Sequence, residues 1–280
     1  MLTGGVLLEL SGLIYYLKFK FVNLGAWMEF LPLLISMIPT VVLLVLVGAF
    51  RFSSQMLVVL WTGVAFGVVA CVPVYFMETV IEGAGDQLSG LYEKAFVQQV
   101  LGAAVSEELW IFFGFLLTYK LFQSIRIQTE ADVVATAVAV AIGFTTIENI
   151  TAVIASETPM SASLNRLLSI VAGHASLQLV MGYFAAKCLL GGRNRLLFGL
   201  LMLAVPIGIH GWGDFTESIF QAVDADSPQS KQFFSAWIFG IFAYLAGAAI
   251  VLFKLRETVS AGTFDAVSNP SDLADSDTDS

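Results

Sequence analysis

Charge is scarce in this sequence. Asp, Glu, Lys and Arg make up 12% of its 280 residues, half of the roughly 25% usual in a soluble domain. A chain so poor in charge, 58% hydrophobic and with a mean hydropathy of +0.84, cannot clothe a globular core in polar side chains. It is read as a polytopic membrane protein. Basic clusters are missing too, which excludes a nucleic-acid binder. The two cysteines, Cys71 and Cys188, fall in or at the end of apolar runs, so neither a disulfide nor a cysteine metal site is expected. The first residues have no basic n-region and no obvious small-residue cleavage site, and are not read as a cleaved signal peptide. No internal repeat is visible, so the inverted-repeat mark of many transporters is lacking. The helix-borne zinc signature H-E-x-x-H is absent as well.

What is present is a series of apolar runs. A spanning helix needs roughly 20 apolar residues, and seven stretches qualify, at about 31–49, 57–77, 97–117, 132–156, 166–190, 195–217 and 233–254. Residues 2–17 are an interfacial helix or an eighth, weaker span. The expected fold is therefore all-α, a transmembrane bundle over residues 1–256. The stretch from Glu78 to Lys94 reads as an acidic loop, and 191–195 ("GGRNR") as a turn. Residues 257–280 carry six acids and no base, which leaves only −3 of the formal −9 for the remainder. That Ser/Asp-rich end is expected to be a disordered, solvated tail.

Ionisable groups inside the runs are few and concentrated. The first, second and seventh spans hold none. The third holds Glu107 and Glu108, the fourth Glu148, the fifth His174, and the sixth His210 and Asp214; the chain has no other histidine. Each such group costs at least about 2.5–3.5 kcal/mol at the bilayer centre, so six in four consecutive spans call for a common reason. Their depths agree. At 1.5 Å per residue, Glu107, Glu148, His174 and His210 all lie about 11–15 Å from span ends that share one membrane face. Helical spacing places Phe144 with Glu148, His174 with Gln178 and Gly182, and His210 with Asp214. Gly182 would admit a close helix neighbour. Glu107 and Glu108 stand about 100° apart, so one is expected to face the reaction centre while the other anchors a neighbour.

Two imidazoles with carboxylates to spare suit a zinc hydrolase, in which three N/O ligands hold the metal and a carboxylate takes a proton from water. Two rival chemistries draw on the same residues. A b-type haem would use His174 and His210 as axial ligands but gives the glutamates no role. A proton-coupled transporter would use the cluster as a relay, against the missing repeats and the lack of a Pro/Gly-broken helix pair.

Four segments in order, "SEELWIF" at 106–112, "GFTTIEN" at 143–149, "RLLSIVAGHASLQLVMG" at 166–182 and "IHGWGDF" at 209–215, resemble the PrsW family of intramembrane proteases. The resemblance covers about residues 97–217 and extends distantly to the endopeptidases that trim prenylated CAAX proteins. It implies a multi-spanning, metal-dependent protease whose partners are transmembrane or membrane-anchored protein substrates within the lipid bilayer. By position it implies Glu107 and Glu108 as suppliers of the water-activating carboxylate. Glu148, His174 and His210 become the metal ligands, zinc in the simplest case, and Asp214 orients His210 or stabilises an oxyanion. A scheme without metal, in which Glu107 acts as base beside His174, belongs to the same kinship. One departure stands out: the family's first motif closes with Lys, and here that position is Ile111. It removes a countercharge and opens a third reading, a non-catalytic relative that binds membrane proteins without cutting them.

Eight of the thirteen bases follow alternate spans: Arg51; Lys120 and Arg126; Lys187, Arg193 and Arg195; Lys254 and Arg256. The positive-inside rule makes that side cytoplasmic, with the C-terminus inside and the reactive layer in the outer half of a cell membrane. Lys18 and Lys20 argue for the reverse.

Overall fold

The computed structural model describes residues 31–38, 40–41, 54–124, 127–191 and 194–260. Among them every regular element is a helix. Helix α1 runs Ser54–Gly85, α2 Leu91–Phe122, α3 Glu130–Ala155, α4 Pro159–Ala172, α5 His174–Leu189, α6 Arg195–Ala222 and α7 Pro228–Ser260. Residues 31–38 and 40–41 are helical as well. Among the described residues, five helices are long and apolar enough to cross a membrane: α1, α2, α3, α6 and α7. They correspond to the expected spans at 57–77, 97–117, 132–156, 195–217 and 233–254.

Two expectations change on inspection. The span expected at 166–190 is split into α4 and α5, of 14 and 16 residues, because Gly173 turns away from helical geometry (ψ −123°). Neither piece alone has the roughly 20 residues a crossing needs. The acidic loop expected from Glu78 to Lys94 is mostly helix: α1 continues to Gly85 and α2 starts at Leu91. Glutamates do not break a helix; they only end its apolar stretch, so the hydropathy boundary precedes the helix end. Glu78 and Glu82 thereby belong to α1. Of the remaining expectations, the segment 2–17, most of the span at 31–49, Arg51, Arg126, Arg193 and the tail beyond Ser260 lie outside the described residues.

Helix α3 is the axis of the bundle. Its start is fixed by a capping box: Thr129 Oγ1 accepts from Asp132 N (3.1 Å) and Asp132 Oδ2 accepts from Thr129 N (2.9 Å). From Val133 to Thr145 every residue is buried, nearly all of them Ala, Val, Ile, Gly or Thr. Such small side chains let neighbours approach to backbone contact, the usual means of packing helices in lipid. A methyl group on Gly67 of α1 would meet the Val140 carbonyl of α3, and one on Gly143 would meet the Val64 carbonyl in return. On the opposite side, a methyl on Gly182 of α5 would fall 2.8 Å from Val134 Cα, which is the close approach expected for that glycine. With α1 and α5 held so tightly, side chains entering from α2, α3, α5 and α6 meet in one place.

Candidate functional site

Helix α2 brings in the first two carboxylates. It begins as α-helix over Leu91–Ala95 and widens into a nine-residue π-helical stretch, Phe96–Ala104, before tightening again to α-helix at Val105. The wider turn changes the phase of everything after it, and such stretches concentrate at functional sites. Glu107 and Glu108 follow directly, 7% and 0% exposed. Ile111, one turn on, is wholly buried in the apolar core.

The two histidines sit against each other, His174 at the first turn of α5 and His210 in α6, with ring centroids 4.9 Å apart and planes at 83°. That edge-to-face contact leaves no slot for a planar macrocycle between the rings, which removes the haem reading. The nitrogens of the rings are sorted by partner. Glu108 Oε1 lies 3.0 Å from His210 Nδ1 and 3.6 Å from His174 Nδ1. Its other oxygen accepts from Gln178 Nε2 at 2.6 Å. On the Nε2 side, Glu107 Oε2 is 3.2 Å from His174 and 4.0 Å from His210. Glu148 Oε2 is 3.0 Å from His174 Nε2, and Asp214 Oδ2 is 3.1 Å from His210 Nε2.

All six sequence-predicted residues thus meet in one cluster. One detail of the expectation is corrected. Glu107 and Glu108 do reach the same two imidazoles, because each ring offers a nitrogen on either edge and the two carboxylates approach opposite edges. The 100° step between them is used to bracket the rings rather than to point elsewhere.

The remaining motif residues have structural work. Phe144 packs its ring edge-on to His174 at 5.4 Å. Asn149, fully buried, donates to the Ser36 carbonyl at 3.0 Å and ties the helical stretch at 31–38 to α3 beside Glu148. Three contributors had no assigned role from sequence. Arg166 of α4 donates from Nη1 to Glu148 Oε1. Gln178 had been placed only on the His174 face. Glu78, assigned to a loop, brings a fourth glutamate carboxyl, from α1, within electrostatic reach of Glu107 and Glu148. Its signal was present in the sequence: it lies only one residue beyond an apolar run.

The donor set fits a metal ion. Ligand atoms of Glu107, His174 and His210 all lie within 4.8 Å of one another, each residue buried. Glu107 Oε2 and Glu148 Oε2 are buried without a hydrogen-bond partner, both on the Nε2 side of His174. Five carboxyl groups, from Glu78, Glu107, Glu108, Glu148 and Asp214, surround two imidazoles and one guanidinium. So much like charge in a water-poor interior needs a compensating cation or protons. Two imidazoles with a carboxylate are a familiar ligand set for catalytic zinc.

The family model described as PrsW family intramembrane metalloprotease matches residues 54–246, more than half of the chain, and the chain belongs to that family. No curated protein and no solved structure matches it.

Proposed function

We propose that this PrsW-family protein hydrolyses peptide bonds of transmembrane or membrane-anchored proteins at a zinc site held by His174, His210 and Glu107. One observation carries the reading. A single buried carboxylate, Glu108, lies at the Nδ1 edge of both imidazoles, hydrogen-bonded to His210 at 3.0 Å and 3.6 Å from His174, and both Nε2 edges are turned toward Glu107, Glu148 and Asp214. This is the arrangement by which outer carboxylates fix the tautomer and orientation of metal-binding histidines. When bound, the metal supplies a Lewis acid that acidifies water and polarises the scissile carbonyl.

The side chains divide the rest. Glu108, steadied by Gln178, keeps the proton on Nδ1 of His210, so that its Nε2 presents a lone pair, and its negative charge 3.6 Å from His174 Nδ1 favours the same tautomer there. Glu107 reaches both Nε2 edges and completes the ligand set. Glu148 is then the general base: its unpartnered Oε2 takes a proton from the attacking water and passes it to the leaving amine, giving one carboxylic acid and one amine product. Glu107 and Glu148 exchange the roles that the family resemblance suggests, on the ground that Glu107 groups with both histidines whereas Glu148 contacts His174 and Arg166. Asp214 steadies the His210 side. A metal-free reading, with Glu107 as base, draws on its direct 3.2 Å contact with His174 Nε2.

The test combines metal analysis of the purified protein with cleavage of a panel of single-span reporters. His174→Ala and His210→Ala are expected to accumulate in the membrane yet cut nothing. Wild-type-like cleavage by both would remove the site, and full activity without stoichiometric metal would leave the glutamate mechanism in its place. The orientation proposed is C-terminus cytoplasmic. Lys120, Lys187, Arg195, Lys254 and Arg256 all lie near one set of helix ends, while Asp86, Glu157, Asp224 and Asp226 lie near the other.

A further inference from the structure

The family's first motif places a Lys four residues after its first Glu; in this chain that position is Ile111, buried in the apolar core. Helix α2 therefore contributes two carboxylates to the site and no cation. Among the described residues, the guanidinium paired to a site carboxylate is that of Arg166, which comes from a different element, the short helix α4. Glu148 is hydrogen-bonded at one oxygen only, by Arg166 Nη1; the other, Oε2, has no hydrogen-bond partner and lies 3.0 Å from His174 Nε2. Glu107 and Asp214 are within the electrostatic reach of the same guanidinium.

We infer that Arg166 is a positioning residue that holds Glu148 out of the metal's ligand set and so keeps it available as the base. The inference rests on the zinc-protease reading above. Its physical content is a competition. Four of the five carboxyl groups, Glu107, Glu108, Glu148 and Asp214, lie within 4.0 Å of an imidazole nitrogen, and a bound dication would draw in every free oxygen it could reach. Glu108 is occupied by Gln178 and the Nδ1 edges. Glu148 has no such partner on its own helix, and Arg166 supplies one from outside. Arg166 also offsets one negative charge at a site where Ile111 offsets none.

The consequence has an unusual sign. Loss of a residue that merely braces the fold weakens metal binding and cleavage together. Loss of Arg166 should strengthen metal binding, because a carboxylate is released toward the ion and a positive charge is withdrawn, while cleavage falls because the base has become a ligand.

The experiment uses the full chain purified in detergent, with zinc as the probe in competition against a chromophoric chelator, and a single-span reporter for cleavage. Arg166→Gln is expected to bind zinc about tenfold more tightly and, at saturating zinc, to cut about tenfold more slowly. Arg166→Met, which keeps the packing of the stem, should match it if the Gln variant does not stay monodisperse. Arg166→Lys, which restores a charge able to make the single contact, should keep wild-type zinc affinity. In a Glu148→Gln background, Arg166→Gln should no longer change zinc affinity, since the carboxylate through which it acts is gone. Weaker or unchanged zinc binding by Arg166→Gln overturns the inference. An equal gain in the Glu148→Gln background also overturns it, by assigning the effect to bulk charge. A wild-type protein that takes up no zinc would instead overturn the metal reading beneath it.

Discussion

Replacing Glu108 by Gln tests the core of the site with almost no change of shape. Glu108 is fully buried, and its two oxygens serve two donors, His210 Nδ1 at 3.0 Å and Gln178 Nε2 at 2.6 Å, while His174 Nδ1 stands 3.6 Å away without a hydrogen bond. An amide has one acceptor and one donor end. With its oxygen toward the imidazoles, its NH2 would face Gln178 donor to donor. Gln178 can relieve that by turning its own amide, because its Oε1 is buried and has no partner now. The hydrogen bonds are then conserved in number and only their charge assistance is lost. Bonds to a charged group contribute about 1.5–3 kcal/mol against about 0.5–1.5 for neutral ones, so His210 loses about 1–1.5 kcal/mol of orientation. On one metal-binding ring that is about tenfold in metal affinity, the lower end of the range found for outer-carboxylate variants of metal sites. The assay is reporter cleavage as a function of free zinc. Glu108→Gln should shift the curve to higher zinc by that factor and approach the wild-type plateau. By contrast, Glu148→Gln should lower the plateau about 10²- to 10⁴-fold at any zinc concentration, as loss of a general base does. An unshifted curve for Glu108→Gln, or a collapsed plateau, would refute the reasoning; the latter would place Glu108 in the chemical step. Glu108→Ala is a harsher change, leaving two buried N–H groups unpaired at about 1–3 kcal/mol each, and should lower thermal stability as well.

Three further outcomes are expected. A strong chelator should abolish cleavage and zinc should restore it; zinc binding should weaken as pH falls, because coordination needs neutral imidazoles and an ionised Glu107, both lost on protonation. Zinc affinity that does not change between neutral and acidic pH would count against this ligand set. Gly143→Val should destabilise the fold without touching the site, because its side chain meets the Val64 backbone of α1; a thermal-unfolding shift of about 1–3 kcal/mol is the measure, and an unshifted transition would refute the tight crossing. Single cysteines at Ser227 and Ser276, in a chain lacking Cys71 and Cys188, should label from outside and inside respectively, and reversed labelling would invert the proposed orientation.

The sequence by itself determined the class and the membership of the site. A charge-poor chain has to place its apolar runs in lipid, and six ionisable groups confined to four consecutive runs bear a cost that only a shared site explains. Helical rise then put Glu107, Glu148, His174 and His210 in one layer, and the structure brings them together. Motif positions that looked like spacing, Gly143, Phe144 and Asn149, became a backbone crossing, a ring against His174 and a tie to Ser36. Tertiary structure alone decided who faces whom. Which edge of an imidazole a carboxylate meets depends on the relative rotation of two helices, and no single-helix period contains that angle. The π-helical stretch before Glu107 shifts the phase again, by a backbone choice that Phe96–Ala104 do not announce in their residue types. Hydropathy ended α1 too early, at the first glutamate, and so hid Glu78. Arg166 was hidden for a different reason: it lies 18 residues from Glu148 and on another helix, and only the turn between α3 and α4 folds the two charges onto each other.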